Sequence, residues 1–266
     1  MSLLLAGVVT GAIGSVLGLG GGVFLVPALV LWFGIPIQAA AGAGLVAVIA
    51  TSSAAEAVNV AKEIANIKLG MILETATVCG AITGGFAAAY LPARVLIGIF
   101  SVLLAIVTVL LWRGRLSETA SSETKGYFPA SYKDPALKRT VHYAVRRLDV
   151  GMTTAFFAGN LSGLLGVGGG VIKVPVLHLF CGLPMKAAAA TSNFMIGLTG
   201  AAGAVVYFAN GQLELRLSGL VALGVLAGST GGAWVSRYLP GNTIRKAFSL
   251  LTLGLSLLML RRSLGL

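Results

Sequence analysis

Lys173 sits in the apolar stretch Val171-Ile172-Lys173-Val174-Pro175. An ionisable side chain inside such a segment is costly, so it is a candidate for binding or moving charge. The plainer reading is a side chain that snorkels to a nearby interface. Just upstream runs Gly166-Val167-Gly168-Gly169-Gly170. A helix that begins at Gly170-Val171 aims unpaired N–H groups and a partial positive charge beyond its first turn. Glycine keeps that approach clear of side chains. Thr191-Ser192-Asn193 follows, with hydroxyl and amide donors. A cation, backbone donors and side-chain donors together suit a small oxyanion, with helix–helix hydrogen bonding as the competing use of the polar trio. Thr51-Ser52-Ser53 is a second polar spot. Glu74 and His178 are candidate proton carriers, though each reads more simply as a satisfied polar group. Glu56 and Asn59 lie near a segment end and read as interface residues.

These residues belong to a duplicated unit. Gly18-Leu19-Gly20-Gly21-Gly22 recurs 148 positions later as the second glycine run, and 14 of the 24 residues from Gly18 to Ala41 are identical at that offset. Pro27 matches Pro175, Pro36 matches Pro184, and Leu91-Pro92 matches Leu239-Pro240. Each proline removes a helical N–H and frees the carbonyl four residues earlier, on Val23 and Val171. Freed backbone groups at membrane depth fit a buried or water-lined position, with a simple packing kink as the alternative. Paired breaks in two membrane repeats point to a transported substrate's site. The expected anion ligands are therefore Gly20, Gly21 and Gly22 from the first run and Gly168, Gly169, Gly170 and Val171 from the second. Lys173, Thr191, Ser192 and Asn193 complete the set.

The elements that must hold them are membrane segments. The chain is 57% hydrophobic and 10% charged, with a mean hydropathy of +0.94, which excludes an ordinary soluble domain. The expected fold is an all-α polytopic membrane protein of about 8–10 segments. Spanning runs are expected at 36–60, 69–90, 92–112, 184–209, 217–238 and 240–260, with half-helices at 23–33 and 171–181. This gives a repeat over 1–113, a linker over 114–149 and a second repeat over 150–266. Met1-Ser2-Leu3-Leu4-Leu5 carries no basic residue and reads as a membrane segment rather than a cleaved leader.

The net charge of +11 does not signal nucleic acid, because eight of the 19 basic residues lie between Arg113 and Arg147. A basic loop of this kind marks the cytoplasmic side. Loop charge also reverses between the halves. Arg94 faces Arg237, Arg245 and Lys246 at the equivalent turn; the turn at Gly34 has no base, but its partner has Lys186; Lys62 and Lys68 face only Arg216; and the basic linker faces only Arg261 and Arg262. The repeats are therefore expected to be inverted, with a parallel duplication as the alternative. Within the linker, Asp134-Pro135 followed by Leu137, Val141, Val145 and Leu148 predicts a short amphipathic helix on anionic headgroups. Gly80/Gly84 and Gly228/Gly232 are GxxxG pairs, read as packing within one chain, with a homodimer as the other use. Cys79 and Cys181 have no metal-ligand spacing and read as packing residues.

The doubled glycine segment, the following proline, the Pro-x-x-Ala-Ala-Ala turns and Thr191-Ser192-Asn193 resemble the sulfite exporter TauE/SafE family, over roughly 7–112 and 151–262. The first half departs from the pattern, with Ala43-Gly44 where the second has Thr191-Ser192. The resemblance implies secondary transport of small sulfur-containing anions, sulfite or organosulfonates, across a prokaryotic cell membrane. An anion channel, or a transporter of another small anion, is the alternative. An enzyme is disfavoured, since the chain has no phosphate-binding loop, metal-binding His pair or nucleophile motif. No cofactor and no nucleic-acid partner is expected; membrane lipids and a small anion are.

Overall fold

The computed structural model describes residues 2–17, 20–61, 64–113, 126–134, 139–235 and 241–265. Gly18, Leu19, Lys62, Pro135, Leu137, Arg237, Leu239 and Pro240 lie outside them, as do the side chains of Glu56, Asn59, Arg245 and Lys246. The described chain is mostly helical: α1 Ser2–Leu17, α2 Gly22–Phe33, α3 Ile37–Ala61, α4 Ile67–Tyr90, α5 Ala93–Arg113, α6 Leu148–Leu165, α7 Gly170–Leu179, α8 Met185–Ala209, α9 Leu215–Val235 and α10 Gly241–Leu264. Among the described residues three stretches, Ile67–Tyr90, Met185–Ala209 and the Leu215–Gly232 part of α9, are long and apolar enough to cross a membrane. The half-helices α2 and α7, of 12 and 10 residues, are too short to cross a hydrocarbon core of about 30 Å.

Element boundaries follow the duplicated punctuation. Gly34 and Gly182, repeat partners, both adopt left-handed backbone (φ 64° and 75°) after the half-helices. Pro36 and Pro184 then open α3 and α8, their carbonyls accepting from Ala40 and Ala188 N–H. Asn66 starts α4, its side chain accepting from Leu69 N–H at 3.1 Å, an N-cap that satisfies one of the orphan donors.

The halves interlock. The first helix of each packs along the fourth of the other, α1 on α9 and α4 on α6. Glycine permits both contacts. A side chain at Gly224, Gly228 or Gly232 would strike the backbone of Leu4, Val8 or Ala12, and one at Gly80, Gly84, Gly159 or Gly163 would strike Phe156, Asn160, Thr77 or Ala81. Both GxxxG pairs therefore pack inside the chain. In both pairs residue numbers rise together, so the helices are parallel. Repeat-equivalent helices instead meet antiparallel. Gly197, Gly200 and Gly203 of α8 face Ser52, Ile49 and Leu45 of α3 in reverse order. Ser101 of α5 and Ser256 of α10 exchange hydroxyl-to-carbonyl bonds of 2.9 Å, and Thr108 bonds Thr252 at 2.8 Å.

The core surrounds α2, where Val23 through Val30 are buried on every side against Phe100 and Leu104 of α5, Val221 and Val225 of α9, and Met259 of α10. Large apolar side chains point outward along the long helices, among them Met71, Phe86, Val102, Val205, Leu223, Leu250 and Leu257. Such an apolar exterior suits lipid rather than water.

The amphipathic linker helix does not form. Strands β1 Tyr127–Asp134 and β2 Arg139–Val145 make an antiparallel hairpin instead, so the chain is not purely α-helical. Val141 and Val145 fit a helical stripe, but with Tyr143 they also fit a period of two, and β-branched and aromatic residues favour the pleated alternative. Tyr132, Val141, Tyr143 and Val145 are buried while Thr140 and His142 face out. The Tyr132 and Tyr143 rings pack edge to face at 6.4 Å. Burial pushes the Tyr143 hydroxyl up to about 12. Asp134 ends a strand rather than capping a helix, and Leu148 opens α6.

Candidate functional site

The second glycine run reverses the chain. Gly166 closes α6, its N–H donating to Ser162 O at 2.8 Å, and Gly166, Gly168 and Gly169 all have left-handed backbone (φ 73°, 76° and 71°). That region costs other residues about 1–2 kcal/mol each, so these three demands explain three of the run's four glycines. The α7 ladder begins when Ile172 and Lys173 N–H reach Gly169 O. The N–H groups of Gly170 and Val171 therefore precede the ladder.

Lys173, only 2% exposed, folds back toward this turn: a side chain on Gly169 would lie 3.5 Å from its Cε. Its Nζ donates to Thr199 Oγ1 at 2.9 Å and lies 3.7 Å from Glu74 Oε2. Thr199 Oγ1 is 2.7 Å from Glu74 Oε1 and 2.9 Å from Met195 O, so its one proton goes to either the carboxylate or the helix carbonyl. Glu74 is 4% exposed, and its Oε2 accepts no hydrogen bond. The cluster joins three helices: Glu74 from α4, Lys173 from α7 and Thr199 from α8. Lys173 does not snorkel.

Of the polar trio, Ser192 alone faces the turn. Its Oγ is buried without a hydrogen-bond partner and would lie 3.5 Å from a side chain on Gly170. Ser162 Oγ, buried in α6 near the same turn, is also unpartnered. Thr191 is turned away, its hydroxyl accepting from Asn66 N–H at 2.9 Å. Asn193 is partly exposed. His178 is engaged with Leu183 O at 2.8 Å.

The two glycine runs touch. A side chain on Gly22 would strike Gly166 O and come 3.3 Å from Val167 Cα. Val48 fills the space between, touching the positions a side chain would take on Gly20, Gly22 and Gly168, and Ile196, its repeat partner, does so at Gly168 and Gly170. Gly21 differs from Gly169, its repeat partner, in having ordinary helical backbone (φ −65°). Beside Lys173 lies a void of about 10 Å³ among Leu73, Thr154, Ala155, Val176, Leu177 and Met195, room for about one water. The hairpin packs on the same apolar layer.

Glu74 and Thr199 are the members that the sequence reading underweighted or missed. Thr199 is the repeat partner of Thr51, already visible as a polar spot, so the 148-residue offset was the available signal. Cys181 is buried at the turn after α7, and burial pushes its thiol up to about 11, consistent with packing. Cys79 is exposed on α4.

Residues 3–259 match the family model described as Sulfite exporter TauE/SafE. The chain is 29% identical over 252 residues, 91% of its length and 90% of the relative's, to a Bacillus subtilis protein named "Probable membrane transporter protein YunE". No solved structure is significantly similar.

Proposed function

This chain belongs to the sulfite exporter TauE/SafE family of membrane transporters, and from that premise we propose that it exports small sulfur-containing oxyanions, such as sulfite or organosulfonates, across a prokaryotic cell membrane. The observation that carries the site is the buried ammonium of Lys173 folded against the start of α7, beside the unpartnered Ser192 hydroxyl. An oxyanion there would gain a cation, the Gly170 and Val171 N–H groups and a hydroxyl donor. The first glycine run contributes the opposing wall through Gly20, Gly21 and Gly22, which become available to the anion when Val48 and Ile196 part. Export of a monoanion from a negative-inside cell is downhill by about 2.3 kcal/mol per 100 mV.

In this reading the halves are inverted and the linker is cytoplasmic. The antiparallel meeting of α3 with α8, and of α5 with α10, supports inversion. A two-fold axis along the membrane normal would leave equivalent helices parallel, whereas an axis in the membrane plane reverses them. The reversal of loop charge points the same way.

Flux in proteoliposomes offered sulfite, sulfoacetate, taurine, sulfate and chloride tests the substrate class. Slow, saturable, mutually competitive flux of sulfite and sulfonate is expected; unsaturable flux led by chloride would instead indicate a channel, and no flux of any sulfur anion would end the proposal. Lys173→Met should weaken sulfonate binding by about a hundredfold, the scale for removing one member of a desolvated charge contact.

A further inference from the structure

The fold contains its own control for the buried ion pair. At the 148-residue offset, Lys173 corresponds to Leu25, Glu74 to Ala222 and Thr199 to Thr51. Leu25 is fully buried, and among the described residues Thr51 bonds along its own helix, to Val48 O at 3.0 Å. The same interlock of helices is thus built once with apolar residues and once with a lysine and a glutamate. A buried ion pair is a poor source of stability compared with packed hydrophobic groups, and here the hydrophobic version exists in the other half. The pair is retained for something other than architecture.

Its geometry is that of a loosely held pair. The Lys173–Glu74 contact is 3.7 Å, longer than a direct charge-assisted hydrogen bond, and Glu74 Oε2 receives no donor. Thr199 stands between them, accepting from Lys173 and able to donate to Glu74 or to Met195 O. Other titratable groups on the helices packed around Glu74 are engaged elsewhere or exposed. His178 on α7 is held by Leu183 O, Tyr207 on α8 donates to Leu164 O, Asp149 lies on the exposed first turn of α6, and Lys186 is exposed at the start of α8.

We propose that Glu74 is an exchangeable counter-ion for Lys173: when an oxyanion enters, Lys173 leaves Glu74 for the anion and Glu74 takes up a proton. This rests on the anion-transport reading above. The charge balance requires it. The empty cluster holds one cation and one carboxylate, net zero. A monoanion alone would leave an uncompensated negative charge in a buried setting. One proton from the water on the side that admits the anion restores neutrality, giving a lysine–anion pair beside a neutral carboxylic acid, which donates through its own O–H. Thr199 then turns its proton to Met195 O. Anion and proton move in the same direction, so the coupled transfer is electroneutral and the potential drive open to an anion leaving alone is replaced by the anion and proton gradients. Lower pH tightens anion binding because it favours the protonated Glu74.

The test uses purified full-length protein and methanesulfonate, a sulfonate that stays ionised at neutral pH and so brings no proton. Calorimetry in two buffers of different ionisation enthalpy, together with a pH indicator in weak buffer, should show uptake of about one proton per bound anion. Glu74→Gln should abolish the uptake and flatten the pH dependence of affinity, while Glu74→Asp should keep both. If Glu74→Gln does not fold, the wild-type uptake alone decides. The double variant Lys173→Leu/Glu74→Ala copies the first half's residues and should fold yet bind at least about a hundredfold more weakly. Methanesulfonate binding with no proton uptake would overturn the exchange and leave the anion site standing. No binding of sulfonate or sulfite by the folded wild type would overturn the transport reading itself.

Discussion

The glycines of the two runs look interchangeable in sequence and are not so in structure. Gly169 has φ 71°, and a side chain there would come within 2.8 Å of Ala158 O and 3.5 Å of Lys173 Cε. Gly21 has φ −65° and only side-chain neighbours inside 3.7 Å. Gly169→Ala should therefore cost about 2–4 kcal/mol from left-handed strain plus overpacking and abolish flux, while Gly21→Ala should insert and keep near-wild-type stability, its methyl group slowing flux only by narrowing the wall offered to the anion. Comparing thermal unfolding and sulfite flux of the two variants checks this; equal behaviour would mean that neither the turn nor Lys173's seat depends on Gly169. The repeat pattern made both runs legible as breaks. It did not reveal which glycines need positive φ, because that depends on how α6 and α1 leave the turn. Lys173 was legible as a residue of interest from its cost alone. Its partner was not, since Glu74 lies 99 positions away on a helix whose orientation is set by tertiary packing, through Gly80 and Gly84 against α6 and Gly70 and Gly85 against α8.

At the level of elements, helix starts, the half-helices and the proline-opened α3 and α8 follow from local chemistry, so sequence suffices for them. The linker shows where it does not. Val141 and Val145 satisfy a helical and a strand period equally, and the decision falls to Tyr132 and Tyr143, which need a partner strand and an apolar layer to bury them. Asn66 ties that hairpin to the bundle: it caps α4, donates from its backbone to Thr191 Oγ1, and donates from its side chain to Phe128 O at 3.3 Å. Asn66→Ala should lower stability by about 1–2 kcal/mol, the worth of a cap plus a neutral hydrogen bond. Proteolysis within 126–145 should speed up before the helices unfold. Unchanged hairpin proteolysis would show that the apolar layer alone holds it.

For the whole molecule, the direction of each helix follows from a chain of contacts. Gly70 of α4 meets Thr191 and Phe194 of α8, and Gly85 meets Val206, so α4, α6 and α8 run together; α3 runs against α8, and its start at Gly42 meets Gln212 and Leu213 just before α9, the parallel partner of α1. Ser2, at the start of α1, then lies at the end opposite to the hairpin that precedes α6. In the inverted reading the membrane separates those ends, with the basic linker inside and the N-terminus outside. Single cysteines at Ser2 and at Ser131, both exposed, in a background with Cys79→Ala and Cys181→Ala, read this directly. A membrane-impermeant maleimide added to intact cells should label Ser2→Cys and spare Ser131→Cys until the membrane is opened. A parallel duplication needs an even number of crossings per half, which would put both positions on one side. Labelling of both from the same side would therefore reject inversion, and with it the convergence of two oppositely directed half-helices on one anion.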